Sequence, residues 1–215
     1  IMKFSIEELR PIRNGMTISR DSKLGNSTKV TYFSMGKDTS ISQESYDRMT
    51  MYIGASGWGE FIIGEEPEII KLQPDELLIV PAGTLCGMQT SNGIVYTEII
   101  CTGKDINMNA NVKTNEVFAL KNLISYEEGS IANMDVVSTP DMKYVLMAFD
   151  EGTGLTPHRA PGNAIVFALE GKATIGYEGK DYELSEGECF RFEKNGLHSV
   201  TANGKFKMAL LLVLE

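Results

Sequence analysis

Long apolar runs are missing from this chain, and none approaches the eighteen or so residues that a membrane-spanning helix needs. A basic excess is missing too. Lys and Arg number 20 against 29 Asp and Glu, giving a formal net charge of −9. That is the wrong sign for releasing counterions from a phosphate backbone, so neither nucleic acid nor a membrane is an expected partner. Acidity of this kind is ordinary for a protein kept in solution by self-repulsion.

Cysteine is scarce. Cys86, Cys101 and Cys189 are an odd number without CxxC spacing, which excludes a disulfide framework and a zinc ribbon from the expectations. Histidine is scarcer, with only His158 and His198. Helical patterning is absent outside short turns expected near Ser5–Leu9 and Ala119–Leu123. Ile1 to Arg13 lacks the basic flank, apolar stretch and small-residue cleavage pattern of a secretory signal, so a cytoplasmic location is expected.

What the chain has is repetition. Residues 4–65 lie over 118–179 at a constant offset of 114, with Phe4 on Phe118, Gly15 on Gly129 and Gly57 on Gly171. After the turn at Gly64–Pro67 the offset falls to 112, placing Leu72 on Leu184 and PAGTLC on EKNGLH. Both copies then reach an Asn-Gly turn before a last apolar strand, IVYTEII or FKMALLLVL. The expected organisation is an N-terminal copy at 1–101, a polar linker at 102–115 and a C-terminal copy at 116–215.

Within each copy the segments are short, rich in β-branched and aromatic residues, and punctuated by glycine or Asn-Gly. KVTYFSM, GEFIIG and ELLIVP in the first copy, with KYVLMAF, KATIGYEG and ECFRF in the second, are examples. This is the pattern of an all-β sandwich or barrel. Leu77, Leu78, Ile79 and Val80 are apolar at consecutive positions, which predicts a strand covered on both faces, and a homodimer is a further expectation.

The segments GLTPHRAPGNAIVFALEGKATI and GECFRFEKNGLHSV carry chemistry as well as fold. They resemble the first and second signature motifs of the cupin superfamily. The resemblance covers residues 116–215 and extends through the repeat to residues 4–101. It implies an RmlC-like bicupin with two tandem antiparallel jelly-roll barrels. In metal-binding cupins the first motif supplies two histidines and a carboxylate, and the second a further histidine. Carried onto this chain, the first and last of these positions fall on His158 and His198, but the middle two fall on Ala160 and Ala164. In the first copy the corresponding positions are Glu44, Tyr46, Thr50 and Cys86. The metal motifs are therefore degenerate.

The only two histidines both land at motif positions, which the resemblance brings together inside the C-terminal barrel. Two readings follow. In one, His158 and His198, with Arg191 as a bidentate partner for a carboxylate, bind a small polar molecule, a sugar or an organic acid. In the other, the pair holds a divalent metal (Zn, Ni, Fe or Mn), completed from Cys189 or Glu193, and serves an isomerase, lyase or oxygenase. The sequence leaves open whether the chain is an enzyme. Trp58, the lone tryptophan, is expected to pack rather than to bind.

Overall fold

A computed structural model describes residues 2–215. Nearly all regular structure is strand. The strands are β1 (Lys3–Phe4), β2 (Thr17–Asp21), β3 (Lys29–Met35), β4 (Thr39–Glu44), β5 (Thr50–Gly57), β6 (Gly59–Ile63), β7 (Glu68–Leu72), β8 (Glu76–Val80), β9 (Cys86–Thr90), β10 (Ile94–Ile100) and β11 (Asn107–Met108). They continue as β12 (Val117–Ala119), β13 (Ile131–Ser138), β14 (Met142–Phe149), β15 (Gly154–Arg159), β16 (Asn163–Glu170), β17 (Lys172–Tyr177), β18 (Lys180–Ser185), β19 (Cys189–Phe192), β20 (Leu197–Ala202) and β21 (Phe206–Val213). Helix is limited to Ile6–Leu9 and a 3₁₀ turn at Leu120–Asn122, where short turns are expected. No helix among the described residues is long and apolar enough to cross a membrane.

The repeat is reproduced strand for strand, β1–β10 against β12–β21, with β11 added at one sheet edge. One unit holds a six-stranded sheet ordered β12-β8-β5-β10-β3-β2 and a four-stranded sheet β4-β9-β6-β7. The other holds β1-β19-β16-β21-β14-β13-β11 and β15-β20-β17-β18. Each unit is thus a jelly roll of two antiparallel sheets, the barrel being formed by facing sheets rather than by one closed ladder. The step in offset lies in the hairpins β6–β7 and β17–β18, where the longer loop Gly64–Pro67 stands against Glu178–Gly179.

The units exchange short segments relative to the expected boundaries. Ile6–Thr102 with Ala110–Ala119 forms one unit, and the segment ending at Ser5 joins Gly103–Asn109 and Leu120–Glu215 in the other. Phe4 in β1 lies opposite Cys189 of β19, and Phe118 in β12 lies opposite Leu77 of β8. Both strand pairs keep the repeat's offsets, so the exchange is reciprocal. Part of the expected linker is also strand, since β11 pairs with β13. Strands of two or three residues carry no periodicity, which is why the pattern cannot assign them.

The cores sit between the paired sheets. In the N-terminal unit Met35, Tyr52, Phe61, Leu78 and Tyr96 belong to one buried cluster, and in the C-terminal unit Phe149, Val166, Phe190, Phe192 and Phe206 belong to another. Leu77 to Val80 are all buried, as a strand covered on both faces should be. Trp58 lies under the Lys71 ammonium, 4.2 Å from the ring centroid, a surface cation–π contact.

Candidate functional site

β15 and β20 are neighbours in the four-stranded sheet of the C-terminal unit, and their register sets His158 directly opposite His198 after a bulge beyond Leu155. Cross-strand partners share a face of the sheet. The two rings lie 4.2 Å apart, centre to centre, and His198 stacks on Phe192 at 4.2 Å with an interplanar angle of 25°. His158 is exposed, while His198 is buried at 8% exposure. The pair therefore runs from solvent to the top of the apolar core.

Each ring is oriented by its own backbone. His158 Nδ1 lies 2.8 Å from the Thr156 carbonyl, and His198 Nδ1 lies 3.0 Å from the Gly196 carbonyl. A carbonyl oxygen only accepts, so each Nδ1 carries the hydrogen and each neutral ring keeps its lone pair on Nε2. Burial, and then the charge of His158, push the His198 pKa below its ordinary value, against the opposing pull of the Gly196 carbonyl. At neutral pH His198 is thus a hydrogen-bond acceptor. A cleft of about 230 Å³ adjoins it, bordered by Pro157, Tyr177, Lys180, Asp181 and Ser199.

The other expected partners are elsewhere. Phe190 and Phe192 of β19 enter the core with Ala164 and Val166, so Cys189 and Arg191, at alternate positions, belong to the opposite strand face. Arg191 lies across from Ile165, its guanidinium 2.9 Å from Glu193. Arg191 is therefore not brought to the histidines. Strand parity, which was readable only once the inward residues were known, decides this.

Ala160 and Ala164 are buried, at 6% and 2% exposure, where the resemblance would require ligands. Among the described residues no group of three or more His, Cys, Asp or Glu side chains is arranged to hold a metal ion. Two imidazoles do not fit a site of three or four protein ligands.

In the N-terminal unit Glu44 lies opposite Cys86, in the same ladder position as His158 and His198. Here the interior is open. Glu44, Tyr46 and Cys86 border a cavity of about 180 Å³ whose walls include Phe33, Tyr52 and Phe61. A further residue at this cavity, Glu98 of β10, was not among the sequence candidates, although a carboxylate inside the apolar run IVYTEII was its signal.

Glu98 is buried at 6% exposure, and the Tyr46 hydroxyl stands 3.4 Å from its Oε2 and 3.5 Å from Glu44 Oε1. Burial pushes the Glu98 pKa up to about 7, with Glu44 adding to the rise, while hydrogen bonds from Tyr46 and Tyr52 and the charge of Lys29 oppose it. Burial also holds the Cys86 thiol up at about 11, which makes it unreactive at neutral pH.

The two interiors differ because large side chains occupy opposite halves. Phe190, Phe192, Tyr177 and Tyr182 of the C-terminal unit correspond by offset to Leu78, Val80, Ile63 and Ile70. Conversely Phe33, Tyr52, Phe61 and Tyr96 correspond to Met147, Val166, Ile175 and Met208. The smaller set beneath the N-terminal mouth leaves space that the C-terminal aromatics fill.

Comparison with known proteins agrees with this architecture. The family model described as a cupin domain matches residues 145–214. No curated protein matches the chain. Among solved structures, a cupin 2 conserved barrel domain protein from Leptotrichia buccalis is 24% identical, with 98% of this chain and 95% of that chain covered at a TM-score of 0.84. Salicylate 1,2-dioxygenase from Pseudoaminobacter salicylatoxidans, in an adduct with gentisate, is 11% identical over 96% of this chain and 76% of that one, at a TM-score of 0.66. Oxalate decarboxylase from Bacillus subtilis is 13% identical over 98% and 75%, at 0.56. These are likenesses of fold.

Proposed function

We propose that this chain, whose fold is the cupin jelly roll present twice, binds a small hydroxyl-bearing molecule of the sugar class at the His158–His198 rim of its C-terminal unit. The observation that carries the reading is the double Nδ1 anchoring: both rings donate to backbone carbonyls, so each ring in its neutral form offers Nε2 as an acceptor, on residues that pair across the β15–β20 ladder. Two adjacent acceptors match a ligand with two donors. Polyols supply these; a carboxylate, itself only an acceptor, does not. Within the notion of a sugar or an organic acid, the geometry favours the sugar.

Binding rather than catalysis is the better supported role. Among the described residues the histidine pair has no third metal ligand, and Arg191 is engaged with Glu193 on another face. A titration of neutral monosaccharides, run with and without chelator, tests the reading on the parent protein and on His158→Ala and His198→Ala. Each substitution should weaken binding by about 1–3 kcal/mol, roughly five- to a hundredfold, with the chelator changing nothing. Binding that survives both substitutions unchanged, or that vanishes with chelator, would overturn it.

A further inference from the structure

The N-terminal cavity sets carboxylates and a tyrosine hydroxyl against an aromatic wall around open space, a combination that the filled interior of the C-terminal unit does not offer. Its base is a buried carboxylate, Glu98, and its mouth is an exposed one, Glu44, with the Tyr46 hydroxyl between them. Its walls are aromatic: Phe33 and Tyr96 stack with centroids 5.1 Å apart, and Phe61 packs on Tyr52 at 4.6 Å. Across the β3–β10 ladder, Thr31 faces Glu98 directly, and its hydroxyl is buried without a hydrogen-bond partner. At these positions the C-terminal unit has Val145 opposite Leu210. Polarity has therefore been built into one interior and left out of the other.

No Lys or Arg among the described residues forms an ion pair with Glu44 or Glu98, and Lys29, whose charge reaches Glu98, is exposed. The carboxylates lack an internal countercharge. An anionic ligand would meet two like charges. A metal ion would find no group of three ligands among the described residues. An ammonium group has three donors for Glu98, Glu44 and the hydroxyls, and its charge is welcomed by aromatic faces.

We propose that the N-terminal cavity is a binding site for a small organic ammonium ion, its nitrogen held by Glu98 with Glu44 and Tyr46, and its hydrocarbon part against the aromatic wall. The size limit follows from the cavity, about 180 Å³, close to the roughly 150 Å³ space that accommodates benzene in an engineered core. Monoamines of about six to ten heavy atoms fit; polyamines and peptides do not. The site is independent of the histidine rim, which belongs to the other unit.

Proton linkage gives the site a signature. The groups facing Glu98 are Thr31 and Lys29 of β3, Tyr52 of β5, Tyr96 of β10, Glu44 of β4, Cys86 of β9 and Tyr46 beyond β4. Among them Glu98 is pushed into the neutral range, to about 7. An ammonium ion bound beside it favours the ionised carboxylate, so binding expels a proton and strengthens as pH rises.

The test is isothermal titration of the full chain with benzylamine, benzyl alcohol and benzoate at pH 6 and pH 8. Benzylamine stays protonated across this range. Expected results are saturable benzylamine binding that tightens about tenfold from pH 6 to pH 8, benzyl alcohol at least tenfold weaker, and no benzoate binding. Glu98→Gln should weaken benzylamine binding at least tenfold at pH 8 and flatten its pH dependence. Tyr46→Phe, a milder change at a half-buried position, should weaken it severalfold. His158→Ala should leave it unaltered. Equal affinity for amine and alcohol, a pH-independent affinity in the parent protein, or no amine binding at millimolar concentration overturns the proposal. None of these outcomes uses a variant, so a Glu98→Gln protein that fails to fold does not shelter it.

Discussion

At the scale of single residues, two titrating groups pull stability in opposite directions with pH. The folded protein raises the Glu98 pKa from an ordinary 4.5 to about 7, mainly through burial. Between those values the folded state holds a proton that the unfolded state has lost, so stability falls as pH rises through the window. Glu98→Gln removes the penalty and should stabilise the protein by about 1–3 kcal/mol at pH 8 while changing little at pH 5. Urea denaturation at both values checks this, and a variant less stable than the parent at pH 8 would count against a buried ionised carboxylate. His198 works the other way. Its pKa is lowered by burial and by His158, so its contribution is complete above the ordinary 6.5 and is lost as pH falls towards the folded value. An NMR titration should accordingly find the His198 ring more than half neutral at pH 6.5.

At the scale of elements, the corners where the chain passes from one sheet to the other hold the jelly roll in register. Gly57 ends β5 and Gly171 precedes β17, with φ of 64° and 76°. A methyl group at either would stand 2.1 Å from a backbone carbonyl, that of Gly93 or Lys205. The glycine is thus required twice over, by dihedral and by contact. Gly171→Ala should cost about 2–4 kcal/mol, whereas Gly179→Ala, at φ 79° with nothing within 4 Å, should cost only about 1 kcal/mol. Chemical denaturation of the two variants side by side measures the difference; equal losses would mean the carbonyl contact relaxes freely. The exchanged strand β1 makes a second element-level point. The Arg191 amide donates to the Met2 carbonyl at 2.8 Å, so removing residues 1–5 should leave that amide, on a newly exposed sheet edge, with lost protection in hydrogen exchange.

At the scale of the molecule, most of the fold was legible because the repeat samples each strand twice. Glycines and apolar positions in two copies expose a pattern that either copy alone would blur, and the offsets of 114 and 112 carry Glu44 onto His158 and Cys86 onto His198, matching the ladders. What was not legible depended on facing. Arg191 looked like a partner for the histidines until Phe190 and Phe192 proved to be the inward residues of β19, and Glu98 was hidden in a strand whose neighbours are apolar. Which interior is packed and which is open is a sum over many side chains, and no motif reports it.

That sum yields the last prediction. If the N-terminal interior keeps its polar base for a ligand rather than for the fold, copying the C-terminal residues into it should help folding and harm binding. The copies are Thr31→Val and Glu98→Leu, matching Val145 and Leu210. Together they remove a buried carboxylate and an unpartnered buried hydroxyl. The pair should stabilise the protein by about 2–4 kcal/mol at pH 8 and abolish benzylamine binding. The reverse exchange, Val145→Thr with Leu210→Glu, sets a charge among Phe149, Val166 and Met208 in a filled core, and should destabilise by about 3 kcal/mol or more. Urea midpoints for both double variants decide the matter. A stabilised Thr31→Val, Glu98→Leu protein beside a damaged Val145→Thr, Leu210→Glu protein is the asymmetry expected of one interior shaped for a ligand and one for packing. Damage of equal size in both would mean that Glu98 and Thr31 serve the fold itself.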